Sequence, residues 1–297
     1  MQNRPGRAAA PHRWRTLAAA AAIVAGVAPA AADPALWVAR DADSTVWLLG
    51  TVHVLETTRE WHTAAIDDAF DASDELWLEI DLLNDDSAGF LAMAKHGTSP
   101  DRSLTSRLSA AERAKLDRVA AAAGMTVASL EGLRPWLAAV QLTVGLAKGA
   151  GLDGPGTDLQ LARLAAMRDK PIRAFETGEA QLKLFSSLTD EQELALLRQT
   201  LDEAEGGAAT LRRLVAAWAS GDVDTLETIG DGAIRDSDPG AYEALIVRRN
   251  RAFADRIAAL MAGSGTAFVA VGAAHLGGPD SVQRLLADKG VATERVE

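Results

Sequence analysis

Val46-Trp47-Leu48-Leu49-Gly50-Thr51-Val52-His53 and Ala267-Phe268-Val269-Ala270-Val271-Gly272-Ala273-Ala274-His275 repeat one pattern at opposite ends of the chain. Each is a short apolar run, then a glycine, then a histidine three residues further on. Such runs read as strands buried on both faces. The glycine permits a sharp turn or a close backbone approach at the strand exit. One G-x-x-H segment carries little information, but two of them, each closing an apolar strand, place two imidazoles in matching positions.

Other strands follow from the same reasoning. Leu36-Trp37-Val38 precedes the turn-forming Asp41-Ala42-Asp43-Ser44, which predicts a hairpin with the strand at residues 46–49. Glu75-Leu76-Trp77-Leu78-Glu79-Ile80-Asp81 reads as a third strand, with Glu79 and Asp81 on one face by the two-residue period. Residues 171–175 and 291–296 supply two more. Between them the chain is largely helical. Predicted helices cover residues 60–72, 109–123 (opened by the Ser109/Glu112 capping box), a stretch from Pro135, 158–168 and 279–289. Glycine-rich residues 149–156 form the clearest break. The expected fold is therefore mixed α/β. A central, mostly parallel sheet is built from N- and C-terminal segments and carries helical insertions over about residues 85–169 and 178–262.

Composition narrows the chemistry. The 297 residues contain no cysteine and five histidines, which excludes disulfides, thiolate metal sites and cysteine nucleophiles. Neither H-E-x-x-H nor G-x-S-x-G occurs. Residues 1–32 carry Arg4, Arg7, Arg13 and Arg15 and no acid, then a twelve-residue apolar run to Ala28 and small residues at Ala28, Ala30 and Ala32. That is the pattern of a cleaved secretory leader, with an apolar run too short to span a bilayer. Its removal predicts a single exported domain over residues 33–297, periplasmic or secreted, without stable membrane insertion. The remainder has 26 basic and 41 acidic residues, a net charge of −15. So acidic a chain is not expected to bind nucleic acid.

Polar residues at strand exits form the candidate site. His53 and His275 follow their strands with Gly50 and Gly272, Glu79 sits within the third strand with Asp81 two residues on, and Glu176 ends the fourth. In open α/β sheets ligands bind beyond the carboxyl ends of the strands. Imidazole and carboxylate together suit a divalent transition metal, Mn, Co, Fe or Zn. Glu79 and Glu176 also read as solvated acids at a sheet edge. Asn250 lies on the apolar stripe Ile246, Phe253, Ile257, so it either faces the polar site with Arg249 or is satisfied by a cap or water. Asp158 opens a helix, where a carboxylate serves the helix dipole as readily as a site. His62 reads as surface and His96 as a helix C-terminal residue.

Together these segments resemble the TraB/PrgY/GumN family, which includes the Tiki-type proteins. The resemblance is carried by the two G-x-x-H segments, Leu78-Glu79-Ile80-Asp81, Arg134-Pro135-Trp136, Gly156-Thr157-Asp158, residues 170–177 and Arg249-Asn250. It runs across about residues 36–296. One departure is Arg251-Ala252-Phe253 after Asn250, where relatives are expected to carry tryptophan. The resemblance implies metal-dependent proteolysis, with His53, Glu79 and His275 contributing to the metal site. In a hydrolase built on that site Glu79 would be a ligand or the general base, and Arg249 or Asn250 would steady an oxyanion in catalysis. It also implies kinship with erythromycin-esterase-like and haem-binding folds. The expected substrate is a peptide or small molecule. A binding protein for a metal, haem or peptide is the alternative, and a helical interaction module is a third.

Overall fold

Alternating residues of the two central strands bury opposite faces, and that settles the layering. In the computed structural model, which describes residues 33–84, 93–99, 101–205 and 208–296, β1 is Leu36–Arg40, β2 Ser44–Thr51, β3 Val54–Leu55 and β4 Glu75–Leu78. Further along the chain come β5 Gly154–Pro155, β6 Ile172–Ala174, β7 Gly265–Gly272 and β8 Glu294–Val296. The expected leader, residues 1–32, and the start of the first expected insertion lie outside the described residues.

Six strands form one sheet in the order β6-β4-β7-β2-β1-β8. The pairs β2–β7, β7–β4 and β4–β6 are parallel, while β1 is antiparallel to both β2 and β8. Thus the two G-x-x-H strands lie side by side, with Leu48 opposite Val269 and Thr51 opposite Gly272. One face of the sheet presents Leu49, Leu76, Leu78, Phe268 and Ala270 to helices Ala64–Asp71, Thr157–Met167 and Ala208–Ala219. The other presents Val46, Leu48, Trp77, Val269 and Val271 to helices Arg248–Met261 and Val282–Ala287. Burial on both faces is why these strands are apolar throughout. The fold is mixed α/β with a mostly parallel sheet, as the sequence predicts.

The hairpin forms as expected, with the Asp41 carboxylate accepting from the Asp43 and Ser44 backbone N–H groups. Three boundaries differ from the sequence reading. The helix expected from residue 60 begins at Ala64, because Thr63 caps it by accepting from the Ile66 N–H. The glycine-rich break includes β5, which pairs with β3 and clamps the chain just beyond His53. The strand expected to reach Asp81 stops at Leu78. Asp81 instead accepts from the Leu83 and Asn84 backbone N–H groups and the Asn84 amide, closing a turn. Glu79 and Asp81 therefore do not share a strand face.

Away from the sheet, helices Ala110–Ala122, Pro135–Gly149 and Asp190–Glu205 bury a separate apolar cluster around Leu116, Leu142 and Leu197. Arg134 anchors it by pairing with the fully buried Glu193 and donating to the backbone oxygens of His96 and Ser186. Helix Asp231–Ser237 holds an uncompensated group: Asp231 is buried, and its Oδ2 has no hydrogen-bond partner. Burial, then the neighbouring Glu227, pushes its pKa up to about 7. A carboxyl with a raised pKa contributes full stability below its unfolded value and loses it as pH rises through the folded one. Asp231→Asn is thus expected to raise unfolding stability by about 1–4 kcal/mol at pH 8, with the gain vanishing near pH 4. Urea denaturation at the two pH values checks it; an equal effect at both would disprove the burial argument.

Among the described residues, no helix is long and apolar enough to cross a membrane.

Candidate functional site

Four parallel strands end on the same edge, and each delivers one polar residue there. β2 runs out at Thr51 into His53, β4 at Leu78 into Glu79, β6 at Ala174 into Glu176, and β7 at Gly272 into a short 3-10 turn, Ala273–Leu276, that carries His275. The Glu176 N–H donates to the Glu79 carbonyl at 2.8 Å, extending the pairing of β4 and β6 by one step.

The two glycines have different jobs. At Gly50 a Cβ would approach Ala273 Cα and Cβ to 3.1 Å, so glycine lets β2 pack against the turn that carries His275. Its carbonyl also accepts from the Trp218 indole at 2.8 Å. Gly272 donates its N–H to Glu79 Oε1 at 2.6 Å, and a Cβ there would stand 3.1 Å from the same oxygen.

Glu79 is the hub. Besides Gly272, its carboxylate accepts from Gln181 Nε2 at 3.0 Å and from Arg249 Nη2 at 2.5 Å. Burial pushes its pKa up, but the opposing charges of a protonated His275, of Arg249 and of His53 hold it down, at about 2. His275 is itself neutral: burial lowers its pKa to about 4. Arg249 is therefore the close positive charge that keeps Glu79 ionised at neutral pH.

Arg249 spans three groups. Its Nε and Nη2 donate to Glu176 at 3.0–3.1 Å, its Nη2 to Glu79, and its Nη1 to His275 Nε2 at 2.9 Å. A π-helical turn, Glu243–Val247, immediately precedes helix Arg248–Met261. Such an added residue shifts the side chains that follow around the helix axis. Asn250, fully buried, takes the next position. Its amide donates to the Asp280 carbonyl at 2.8 Å, so Oδ1 is the atom facing His275 Nδ1 at 2.5 Å. An amide oxygen only accepts, so His275 carries its proton on Nδ1 and its lone pair on Nε2.

His53 repeats this arrangement at the surface. Its Nδ1 lies 2.6 Å from Asp158 Oδ2, and a carboxylate that only accepts again puts the proton on Nδ1. Asp158 Oδ1 takes the Leu159 N–H at the start of its helix, so one residue serves both the dipole and the imidazole. The hydrogen bond to Asp158 raises the His53 pKa, to about 9. The side chain is 73% exposed, and the surrounding water screens that effect. Asp158 reaches this place because the Thr157 N–H donates to the Val52 carbonyl at 2.9 Å and the Val52 N–H to Thr157 Oγ1 at 3.1 Å.

Gly156 permits the approach. A Cβ there would fall on the Val52 carbonyl oxygen and within 2.5 Å of the His53 carbonyl carbon. Both are backbone, so relief requires the β3–β5 clamp to open. Gly156→Ala is expected to cost about 1–3 kcal/mol of stability and to break the His53–Asp158 contact. Denaturant titration, with the His53 imidazole followed by NMR, measures both; a change below about 0.5 kcal/mol contradicts the packing argument.

The cavity above these residues has a volume of about 210 Å³ and is lined by Thr51, His53, Leu78, Glu79, Ile80, Leu82, Asp158, Gln181 and Ala270. Arg249 and His275 contact Glu79 and do not line it. The strand exits thus bring His53, Glu79, Glu176 and His275 together with Asp158, Arg249 and Asn250, while Asp81 stays in its own turn. Gln181 escaped the sequence reading. Its only signal was position: it sits one turn into helix Gly178–Ser186, which starts directly after Glu176. His62 pairs with Asp67 at 2.6 Å, apart from the cavity.

The donor chemistry fits a divalent ion: two imidazoles with Nδ1 committed elsewhere, and a carboxylate ionised at neutral pH. Among the described residues no three His, Asp or Glu side chains are grouped to hold one ion, and Arg249 occupies both His275 Nε2 and Glu79.

Comparison with known proteins agrees with this geometry in its extent. A protein of Treponema pallidum (strain Nichols), described as uncharacterized, is 23% identical over 261 residues, covering 83% of this chain and 78% of its own. No solved structure gives a significant match. The profile of the TraB/PrgY/gumN family matches residues 35–295, from β1 to β8 and across every strand exit described above, and the chain belongs to that family.

Proposed function

We propose that the chain is an exported metal-dependent hydrolase, a peptidase of the Tiki/TraB type, with its reaction centre at the G-x-x-H strand exits. One observation carries this reading. Two imidazoles from adjacent strands each have Nδ1 fixed by a side-chain oxygen, Asp158 or Asn250, which makes Nε2 the nitrogen that would meet an ion. Fixing the tautomer through the second nitrogen is how proteins prepare a histidine for a metal or for proton transfer.

His53, Glu79 and His275 would hold the ion, whether Mn, Co, Fe or Zn. When bound, such an ion polarises a carbonyl and lowers the pKa of a bound water. The protein's own groups do the rest. Asp158, bonded to His53 Nδ1, fixes that ring at the cavity wall. Gln181 and the Gly272 N–H fix the Glu79 carboxylate. Leu78, Ile80, Leu82 and Ala270 give the cavity an apolar side beside this polar edge, which accommodates one side chain of a peptide whose remainder stays outside. Export is proposed from the leader-like residues 1–32, and the acidic balance of the rest argues against a nucleic-acid substrate.

A second reading, a binding protein for a metal, haem or peptide without turnover, is favoured by the grip of Arg249 on Glu79 and His275. One experiment separates the two. Metal content and cleavage of a mixed peptide library are measured on the chain purified with Mn, Co, Fe or Zn, beside a His53→Ala/His275→Ala double variant. Metal and cleavage that are both lost in the variant support the hydrolase. Metal retained by the variant refutes the ligand assignment, and metal without cleavage favours the binding protein.

A further inference from the structure

We infer that the cavity is a subsite for one branched aliphatic side chain of a peptide, and that Ala270 sets its depth. The inference rests on the peptide reading proposed above and involves no bound ion.

A small residue stands where the sheet meets the cavity. Leu49 on β2, Ala270 on β7 and Leu78 on β4 are in register on adjacent strands, and all three belong to the same apolar face. Two residues earlier on β7 that face carries Phe268, fully buried and meeting Phe70 edge-on at 5.4 Å. The face is therefore filled where Phe268 stands. Between the two leucines Ala270 leaves room, and the cavity of about 210 Å³ reaches it there. Ala270 is 1% exposed, so atoms added to its side chain would take up enclosed space.

The lining selects what enters. Leu78, Ile80, Leu82 and Ala270 supply the apolar wall, and among the described residues neither a phenyl nor an indole ring lines the cavity. Both carboxylates at its polar edge are committed, Glu79 to Arg249 and Asp158 to His53, so an ionised side chain would find no unpaired partner. At about 210 Å³ the cavity is smaller than the roughly 300 Å³ at which small-molecule sites begin, so it suits one side chain rather than a whole ligand. Burying an aliphatic side chain there removes apolar surface of both partners from water. Gln181 favours a peptide as the carrier of that side chain over a free hydrocarbon. Its Nε2 donates to Glu79, and among the described residues its Oε1 has no partner, which leaves an acceptor for a main-chain N–H.

Selectivity should then follow the size of the residue at position 270. In the test, the purified chain is immobilised and exposed to a mixed peptide library, and mass spectrometry reads which residue types are enriched in the retained and the cleaved peptides. The proteins compared are the wild type, Ala270→Val and Leu82→Ala, with thermal unfolding of each recorded. Wild type is expected to enrich leucine, isoleucine and valine over alanine. Ala270→Val, which makes the cavity shallower, is expected to lower the leucine-to-alanine ratio about 10-fold, the scale of one or two methylenes in an apolar pocket. Leu82→Ala, which removes part of the wall, is expected to raise the phenylalanine-to-leucine ratio by a similar factor. A shift in Ala270→Val alone supports the assignment of depth to Ala270. Identical selection by all three chains, or enrichment of charged residues by wild type, overturns the subsite and leaves the peptide reading intact. No peptide retained or cleaved by wild type overturns both. Should Ala270→Val fail to fold, Leu82→Ala carries the test, and unchanged selection there refutes the proposal.

Discussion

Arg249→Ala lowers the unfolding free energy by about 3–5 kcal/mol at pH 7, the range for leaving buried charges without their partner. Two carboxylates depend on this one guanidinium. Glu79 and Glu176 are nine-tenths or nearly so enclosed, and apart from Arg249 the hydrogen bonds to the Glu79 carboxylate come from one amide and one backbone N–H. The variant also removes the donor to His275 Nε2 and the guanidinium packed over the Phe253 ring, 5.3 Å from its centroid.

The loss depends on pH in a definite direction. The folded pKa of Glu79 is depressed to about 2, so the stability it confers is present above the unfolded value near 4.5 and lost as pH falls towards 2. In Arg249→Ala part of that contribution is missing, while His275, His53 and the Gly272 N–H still act on Glu79, so the difference from wild type shrinks as pH drops below about 4.5. Adding Glu79→Gln to Arg249→Ala restores part of the loss at pH 7, because an amide needs no counter-ion. Urea denaturation of the two variants at pH 7 and pH 4 checks each point. A pH-independent cost below about 1 kcal/mol would show that the cluster is not electrostatically coupled.

His53→Ala behaves in the opposite way. Its side chain is 73% exposed and, among the described residues, bonded to Asp158 alone, so stability changes by no more than about 0.5–1 kcal/mol. Hydrolysis, on the function proposed above, falls by about 100-fold or more in kcat/KM, because the ion would lose a ligand. His275→Ala differs on the first count, because it removes a buried ring that donates to Asn250 Oδ1 and meets Phe253 edge-on at 5.3 Å. Denaturation midpoints beside initial rates on the first cleaved peptide separate the two histidines. Full activity in His53→Ala would remove His53 from the chemistry.

The sequence reading and the folded chain meet at the strand exits and part between them. Residues 46–49 and 267–271 are legible because strands buried on both faces must be apolar, and the histidines after Gly50 and Gly272 are legible by contrast. Glu79 stood out as a charge inside an apolar run. Asp158 and Asn250 were ambiguous, since a carboxylate opening a helix and an amide on an apolar stripe each have ordinary explanations. Asp158 turned out to serve two partners at once. Asp81 was misplaced because a two-residue period was extended past the end of β4, where an aspartate turn competes for the backbone. Gln181 gave no signal, because a polar residue on a helix is the commonest thing a sequence contains.

The sequence by itself determined the fold class, which strands are central, and which imidazoles and carboxylates stand at their ends. Hydrophobic periodicity is a local property, and strand order places those ends on one edge. Only the tertiary structure decided what these groups do to one another. It set each imidazole's tautomer by a partner about 25 residues distant for His275 and 105 for His53. It separated a solvent-facing His53 from an enclosed His275. It also put the Arg249 guanidinium among Glu79, Glu176 and His275. Such contacts depend on distances of a few ångströms between segments far apart in the chain, and no local pattern encodes them.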